Sequence, residues 1–272
     1  MLSTVRVGVA GLVVVLVAAG LTAPAAAASP THDRRAAVAK PTLTASRTTL
    51  LSRQSLVLAG KVKPARKGTV VVLQKLVRDA KKWETEARLT TGRGGAFRYV
   101  DKPARGGVRR YRVIVPKAGK VRQRVSKPVK VTVYRWQSLA AVEVRAQTAT
   151  SVVDQVMINA VRYGPALVGY RTDYQQGFYD WNLNRACLRL ETRIGNSDDS
   201  DDLAIANVSL VADGSTLYAR SFGLAESEAT TLDLTGILRL AFRWTSTNPG
   251  GTPQDQTGAS ATLAGPRVLC AF

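Results

Sequence analysis

The sequence predicts an all-β chain built as two β-sandwiches in series. Short apolar runs alternate with polar residues at a period of two, and clusters of Gly, Pro, Asn and Asp separate them. No segment shows an apolar stripe at helical spacing. The charge divides as sharply. Residues 41–135 hold 25 Lys/Arg against 4 Asp/Glu, whereas residues 136–272 hold 10 against 14 and contain no lysine. The formal net charge of +20 therefore belongs to the first half, which argues for two separate modules meeting near Arg135.

The N-terminal stretch MLSTVRVGVAGLVVVLVAAGLTAPAAAAS stands apart from both. Arg6 precedes an apolar run from Val7 to Leu21 and then a small-residue segment. That is the pattern of a secretory signal peptide over residues 1–28, cleaved after Ala28. An uncleaved membrane anchor is the alternative, but the run of about 15 residues falls short of the roughly 20 needed to cross a bilayer. Residues 29–40 read as a disordered linker, and no later segment is apolar long enough to span. The mature chain is expected outside the cell, in association with the cell wall.

In an exported chain, the two cysteines Cys187 and Cys270 are expected to pair. Two cysteines with no histidine nearby do not make an ordinary zinc site. The only histidine, His32, falls in the linker, which removes the usual imidazole base and excludes Ser-His-Asp and Cys-His chemistry.

Strands of the first module are expected at SLVLAGKVK (55–63), TVVVLQKLV (69–77), AFRYV (96–100), RRYRVIV (109–115) and VKVTVY (129–134). In the last of these Val129, Val131 and Val133 share the inner face, while Lys130, Thr132 and Tyr134 point out. This order of strands, with Trp83 on a hairpin after 69–77, resembles the bacterial immunoglobulin-like repeats of secreted and cell-wall proteins. The resemblance covers about residues 41–135 and implies a spacer or adhesive module without an active site.

In the second module ANVSLVADGSTLYAR holds Asp213-Gly214, a type I′ hairpin signal. A two-residue loop sets Leu210 opposite Leu217, Val208 opposite Ala219, Asn207 opposite Arg220 and Ser209 opposite Tyr218. In ILRLAFRW, Leu238, Leu240, Phe242 and Trp244 make one face, with Arg239 and Arg243 on the other. Along ACLRLETRI, Leu188, Leu190, Thr192 and Ile194 face inward and Cys187 outward. The disulfide is therefore expected at the surface or rim, tying this strand to the terminal VLCAF. The module reads as a jelly-roll-like sandwich.

GNSDDSDD follows that strand. Asn196, Asp198, Asp199, Asp201 and Asp202 could supply oxygen ligands to calcium, which takes six to eight. The spacing is not that of an EF-hand, and such residues also suit a solvated turn. Upstream lie Tyr163, Tyr170, Tyr174, Phe178, Tyr179 and Trp181. Of these, Tyr174, Tyr179 and Trp181 are the candidate carbohydrate-binding residues, since flat rings stack on sugar C–H groups and tyrosine hydroxyls bond sugar hydroxyls. Core packing is the competing role.

Taken in order, INAVRY, YDWNLNRACLRLETRIGNSDDSDD, VSLVADGSTLY, LDLTGILRLAFRW and ATLAGPRVLC resemble the NPCBM domain. That is the carbohydrate-binding-type module first described beside family 98 glycoside hydrolases. The resemblance covers about residues 136–272 and implies a galactose-binding-like β-sandwich with a sugar ligand. The Gly-x-Gly-x-His segment common in that family is replaced here by ALVGYRTDYQQGFYDW, without histidine.

Three main functions compete at this level, with a structural role as a further alternative. The first is a secreted, non-catalytic protein that recognises polysaccharide or a cell-envelope glycan through the second module. The second is an electrostatic binder of anionic wall polymers through the basic first module. Nucleic acid is a weak candidate there, because Phe97, Tyr99 and Tyr111 fall in strand patterns and no nucleic-acid motif is present. A structural spacer with no sugar ligand belongs beside these two. The third is an enzyme, for which Asp180, Glu191 or Asp154 would have to form a carboxylate pair that their spacing does not select.

Overall fold

A computed structural model describes residues 40–64, 67–77, 80–119, 122–169, 176–248 and 258–272. Residues 1–28, expected to be a signal peptide, residues 29–39 of the expected linker with His32, and Tyr170 and Tyr174 lie outside the described residues. Strands dominate, as the alternation predicts. The only helical elements among the described residues are two 3-10 turns, Arg93–Gly95 and Leu139–Ala141. No helix there is long and apolar enough to cross a membrane.

The first sandwich comprises β1 (Thr44–Ala45), β2 (Thr49–Leu51), β3 (Leu56–Lys61), β4 (Val70–Val77), β5 (Glu84–Thr90), β6 (Ala96–Asp101), β7 (Gly107–Val115), β8 (Arg124–Val125) and β9 (Val129–Ser138). A sheet of order β1-β3-β6 faces one of order β9-β7-β4-β5. Between them Leu56, Leu58 and Phe97 meet Val71, Leu73, Tyr111, Val113, Val131 and Val133. Val131 and Val133 are fully buried, so the inner face predicted for this strand holds. Strand β5 carries only a weak pattern: at this sheet edge Ala87 and Leu89 alone pack, partly buried, on the core, and its outer face is wet.

The second sandwich comprises β10 (Val144–Thr148), β11 (Thr150–Val153), β12 (Val156–Ile158), β13 (Val161–Tyr163), β14 (Ala166–Gly169), β15 (Gln176–Asn182), β16 (Cys187–Asn196), β17 (Ile205–Ala212), β18 (Ser215–Phe222), β19 (Ser227–Asp233), β20 (Arg239–Thr247) and β21 (Ala261–Cys270). A five-stranded sheet β10-β15-β20-β17-β18 packs on β11-β14-β21-β16-β19. Trp181, Leu210, Phe242 and Trp244 of the first interlock with Leu167, Leu190, Ile194, Leu263 and Val268 of the second. Each such side chain, fully buried, contributes about 1.5–3 kcal/mol. Trp244 fits because Gly169 and Gly177 flank its indole: a Cβ would lie 2.4 Å from the ring at Gly169 and 2.7 Å from Nε1 at Gly177.

Strand β9 passes from one sandwich into the other. Val129–Val133 pair with β7, and Arg135–Ser138 pair with β21, where Arg135 faces Cys270. The change of composition at Arg135 therefore falls within a hydrogen-bonded strand.

Two expected registers are corrected by bulges. The Asp213-Gly214 turn forms with both φ positive, at 50° and 90°, and Ala212 faces Ser215. The register then shifts past Leu217, so Leu210 faces Tyr218, Ser209 faces Ala219 and Val208 faces Arg220. Leu217 is left 37% exposed. An extra residue in one strand moves every later pair by one. A second bulge, between Cys187 and Arg189, turns Cys187 to the same side as Leu190. The Cys187–Cys270 disulfide consequently lies in the core, at 1% and 0% exposure, and not at the surface or rim.

Candidate functional site

The alternation in β15 decides which aromatic rings are available. Gly177, Tyr179 and Trp181 point into the sandwich and Phe178 points out. Trp181 has no exposed surface and Tyr179 has 5%, their ring centroids 4.8 Å apart. Burial also raises the Tyr179 phenol above its usual pKa. Neither ring offers a face to a sugar, which corrects the expectation for both. The hydrophobic effect claims large rings for the core wherever the pleat permits it.

Phe178, half-buried on the opposite face, takes that place instead. Strand pairing aligns it in a row with Thr148, Phe178, Arg243, Ser209 and Ala219, one residue from each of the five strands. A second row sets Gln176, Thr245, Asn207 and Ser221 side by side. The two rows line an open cleft of about 710 Å³. Its wall is an aromatic ring, two arginines (Arg220 and Arg243) and a set of amide and hydroxyl groups. Asn207 Oδ1 accepts from Ser221 Oγ at 2.6 Å, and Asn207 Nδ2 donates to Thr247 Oγ1 at 3.3 Å. No carboxylate lines the cleft among the described residues. The signal was present in the sequence: the outward arginines of ILRLAFRW mark the wet face on which Phe178 also lies.

Beside the cleft Asp180 accepts from Arg145 Nε at 3.0 Å and pairs with its Nη2, so its charge is matched. Glu191 is likewise bound by Arg267 at 2.9 and 2.6 Å. Tyr163 lies away from the cleft, with the Arg193 guanidinium 5.4 Å from its ring.

The acidic turn is built for a different purpose from metal binding. Asp198 accepts from the backbone N–H of Asn159 at 2.6 Å and of Ala160 at 2.8 Å, closing the β12–β13 hairpin over the turn. Asp201 accepts from Gly258 N–H at 2.6 Å. The buried Asn196 donates to Ala204 O at 3.1 Å and accepts from Ser200 Oγ at 2.5 Å. Asp199 and Asp202 are exposed. Oxygens already facing N–H donors are not arranged around a cation, and among the described residues no three His, Cys, Asp or Glu converge as ligands. Among the described residues, those expected for calcium are not arranged to hold the ion.

A basic face occupies the first sandwich, on the outside of β5-β4-β7-β9. Arg110 lies beside Lys130 on one side and Leu76 on the other, Arg112 beside Gln74, and Arg88 beside Val72. Arg112 donates to Gln74 Oε1 at 2.9 Å and its guanidinium stacks 4.1 Å from the Trp83 ring centroid.

Fold and cleft together define an all-β protein of two sandwiches with an open polar cleft on one sheet. No family model matches the chain, and no curated protein matches it. Among solved structures it is similar to CBM51 from Clostridium perfringens GH95 in complex with methyl-galactose. That likeness has a TM-score of 0.37 at 8% identity and covers 49% of this chain and 99% of that one. It is also similar to the M60 catalytic domain with CBM51-1 and CBM51-2 from Clostridium perfringens ZmpB, at TM-score 0.40 and 9% identity. There 87% of this chain is covered, but it spans only 32% of the other. A third likeness is to carbohydrate-binding module CBM36 in complex with calcium and xylotriose, at TM-score 0.23 and 12% identity, covering 49% and 98%. At these scores none of the three bears on ligand or activity.

Proposed function

We propose that this chain is an exported, non-catalytic protein that binds a cell-envelope glycan on the outer face of its five-stranded sheet. One observation carries the proposal: an outward aromatic, Phe178, centred among amide and hydroxyl side chains in an open cleft. A sugar ring presents C–H groups to an aromatic face and hydroxyls to its polar neighbours, and this wall supplies both. Among the described residues the cleft lining holds no carboxylate, whereas glycoside cleavage needs two, which supports binding over hydrolysis there. The NPCBM resemblance of residues 136–272 supports the same ligand class. A glycan array probed with the mature chain and with Phe178→Ala and Tyr174→Ala tests it. Binding lost in Phe178→Ala is expected; glycan binding that is indifferent to Phe178 would contradict the placement.

A second function has its own support. Arg88, Arg110, Arg112 and Lys130 on one sheet face form a surface suited to anionic wall polymers. Retention on an immobilised wall polymer that falls steeply with salt, and falls further when all four become Gln, is the result expected of it.

A further inference from the structure

Arg243 is the residue of the cleft that glycan binding in general does not explain. It stands at the centre of the face, on the middle strand β20, between Phe178 of β15 and Ser209 of β17. Among the described residues no acidic side chain pairs with it. The other arginine at the cleft, Arg220, is bound to Glu228, and the nearest outward carboxylate on β15, Asp180, is bound to Arg145. Neighbours of Arg243 along its own outward row are Ala241 and Thr245. Among the described residues, an exposed guanidinium has been set into an aromatic-edged wall whose other ionic group, Arg220, is already matched by Glu228.

Resting on the glycan-binding function proposed above, we propose that the cleft selects a sugar bearing a carboxylate, a uronic acid residue, with Arg243 as the specificity-determining contact. Directly opposed side chains on neighbouring strands have Cβ atoms about 4.5–5.5 Å apart, so Phe178 and Arg243 can both reach one sugar residue. The ring lies over Phe178 and its carboxylate takes two parallel N–H donors from the planar guanidinium. A lysine cannot reproduce that geometry. Ser209, Asn207 and Thr245 remain for the hydroxyls. The −4 formal charge of residues 136–272 makes the placement more pointed: this half of the chain is acidic, yet its cleft is cationic.

Because the first sandwich attracts any polyanion, the test uses short ligands and the whole mature chain. Trisaccharides of galacturonate, glucuronate and mannuronate, each with its carboxyl-reduced neutral counterpart and a sulfated trisaccharide that carries no carboxylate, are titrated by calorimetry at one fixed ionic strength. At least one uronate is expected to bind. Its affinity should fall about tenfold on carboxyl reduction and again in Arg243→Gln, less in Arg243→Lys, consistent with loss of a charge-assisted pair. Arg88→Gln/Arg112→Gln should leave it unchanged, and the exposed Arg243 should alter without loss of thermal stability. Equal binding of acid and reduced sugar, with Arg243→Gln silent, would overturn the inference while leaving a neutral-glycan cleft intact. Preference for the sulfated sugar would overturn the carboxylate assignment, and loss through Arg88 and Arg112 would move the site to the basic face. No binding by any member would overturn the uronate inference, while the glycan array with Phe178→Ala decides separately whether the cleft binds another glycan.

Discussion

Removing the Cys187–Cys270 bridge is expected to destabilise the second sandwich more than most single side-chain changes. The cysteines are 83 positions apart. For a loop of that length the chain-entropy relation gives about 4–5 kcal/mol, released by freeing the unfolded chain. The partner positions lie on adjacent antiparallel strands, β16 and β21, already joined by backbone pairing on both sides of the bulge. The folded state should therefore survive locally while its stability falls. Serine would place two hydroxyls in the core without partners, so Cys187→Ala/Cys270→Ala is the appropriate variant. Urea unfolding of oxidised wild type, reduced wild type and the double variant separates the terms, because the reduced protein keeps both sulfur volumes. Both altered forms should lose several kcal/mol, with a larger m value as the unfolded chain expands. A loss below about 1 kcal/mol with unchanged m would refute the chain-entropy reasoning, since native-state strain or residual structure would then be cancelling it.

The other outcomes concern the candidate site and its surroundings. Trp181→Ala should cost about 3–5 kcal/mol in urea unfolding as a core deletion, whereas Phe178→Ala should leave the midpoint nearly unchanged and remove glycan binding; the reverse pattern would return the platform to Trp181. A chelator should leave Tm unchanged, while Asp198→Ala loosens the β12–β13 hairpin by about 1 kcal/mol as its backbone N–H groups lose their acceptor. Asp213 is held below the ordinary carboxylate range by N–H donors of Leu238, at 3.0 Å, and Arg239, at 2.8 Å. Its folded pKa being the lower one, the stabilisation is complete above about pH 4 and is lost as pH falls through the folded value. Asp213→Asn should accordingly flatten the acid limb of a Tm–pH curve; parallel curves for the two proteins would contradict the assignment.

What could be read from the sequence and what could not differ by a physical cause. VKVTVY and ILRLAFRW declared their buried faces because one side of each is wholly apolar, and the structure buries Val131, Val133, Leu240, Phe242 and Trp244 accordingly. Asp213-Gly214 declared its turn because few other residues accept two successive positive φ values. The bulges at Leu217 and between Cys187 and Arg189 left no such mark. They show only in the strand pairing, and each reversed the faces of residues beyond it. In GFYDW consecutive aromatics make both phases of the pleat plausible, so only the pairing with β20 reveals that Phe178 is outward. The acids of GNSDDSDD looked like ligands because their partners, the N–H groups of Asn159, Ala160 and Gly258, belong to the backbone and to distant positions.

The most direct measurement is chemical-shift mapping on the isotope-labelled chain, titrated with the tightest glycan found on the array. Saturable shifts should centre on Thr148, Phe178, Ser209, Arg243 and Thr245, and disappear in Phe178→Ala. Shifts centred on the acidic turn, or on Arg110, Arg112 and Lys130, with the cleft unmoved, would contradict a glycan site on the five-stranded sheet.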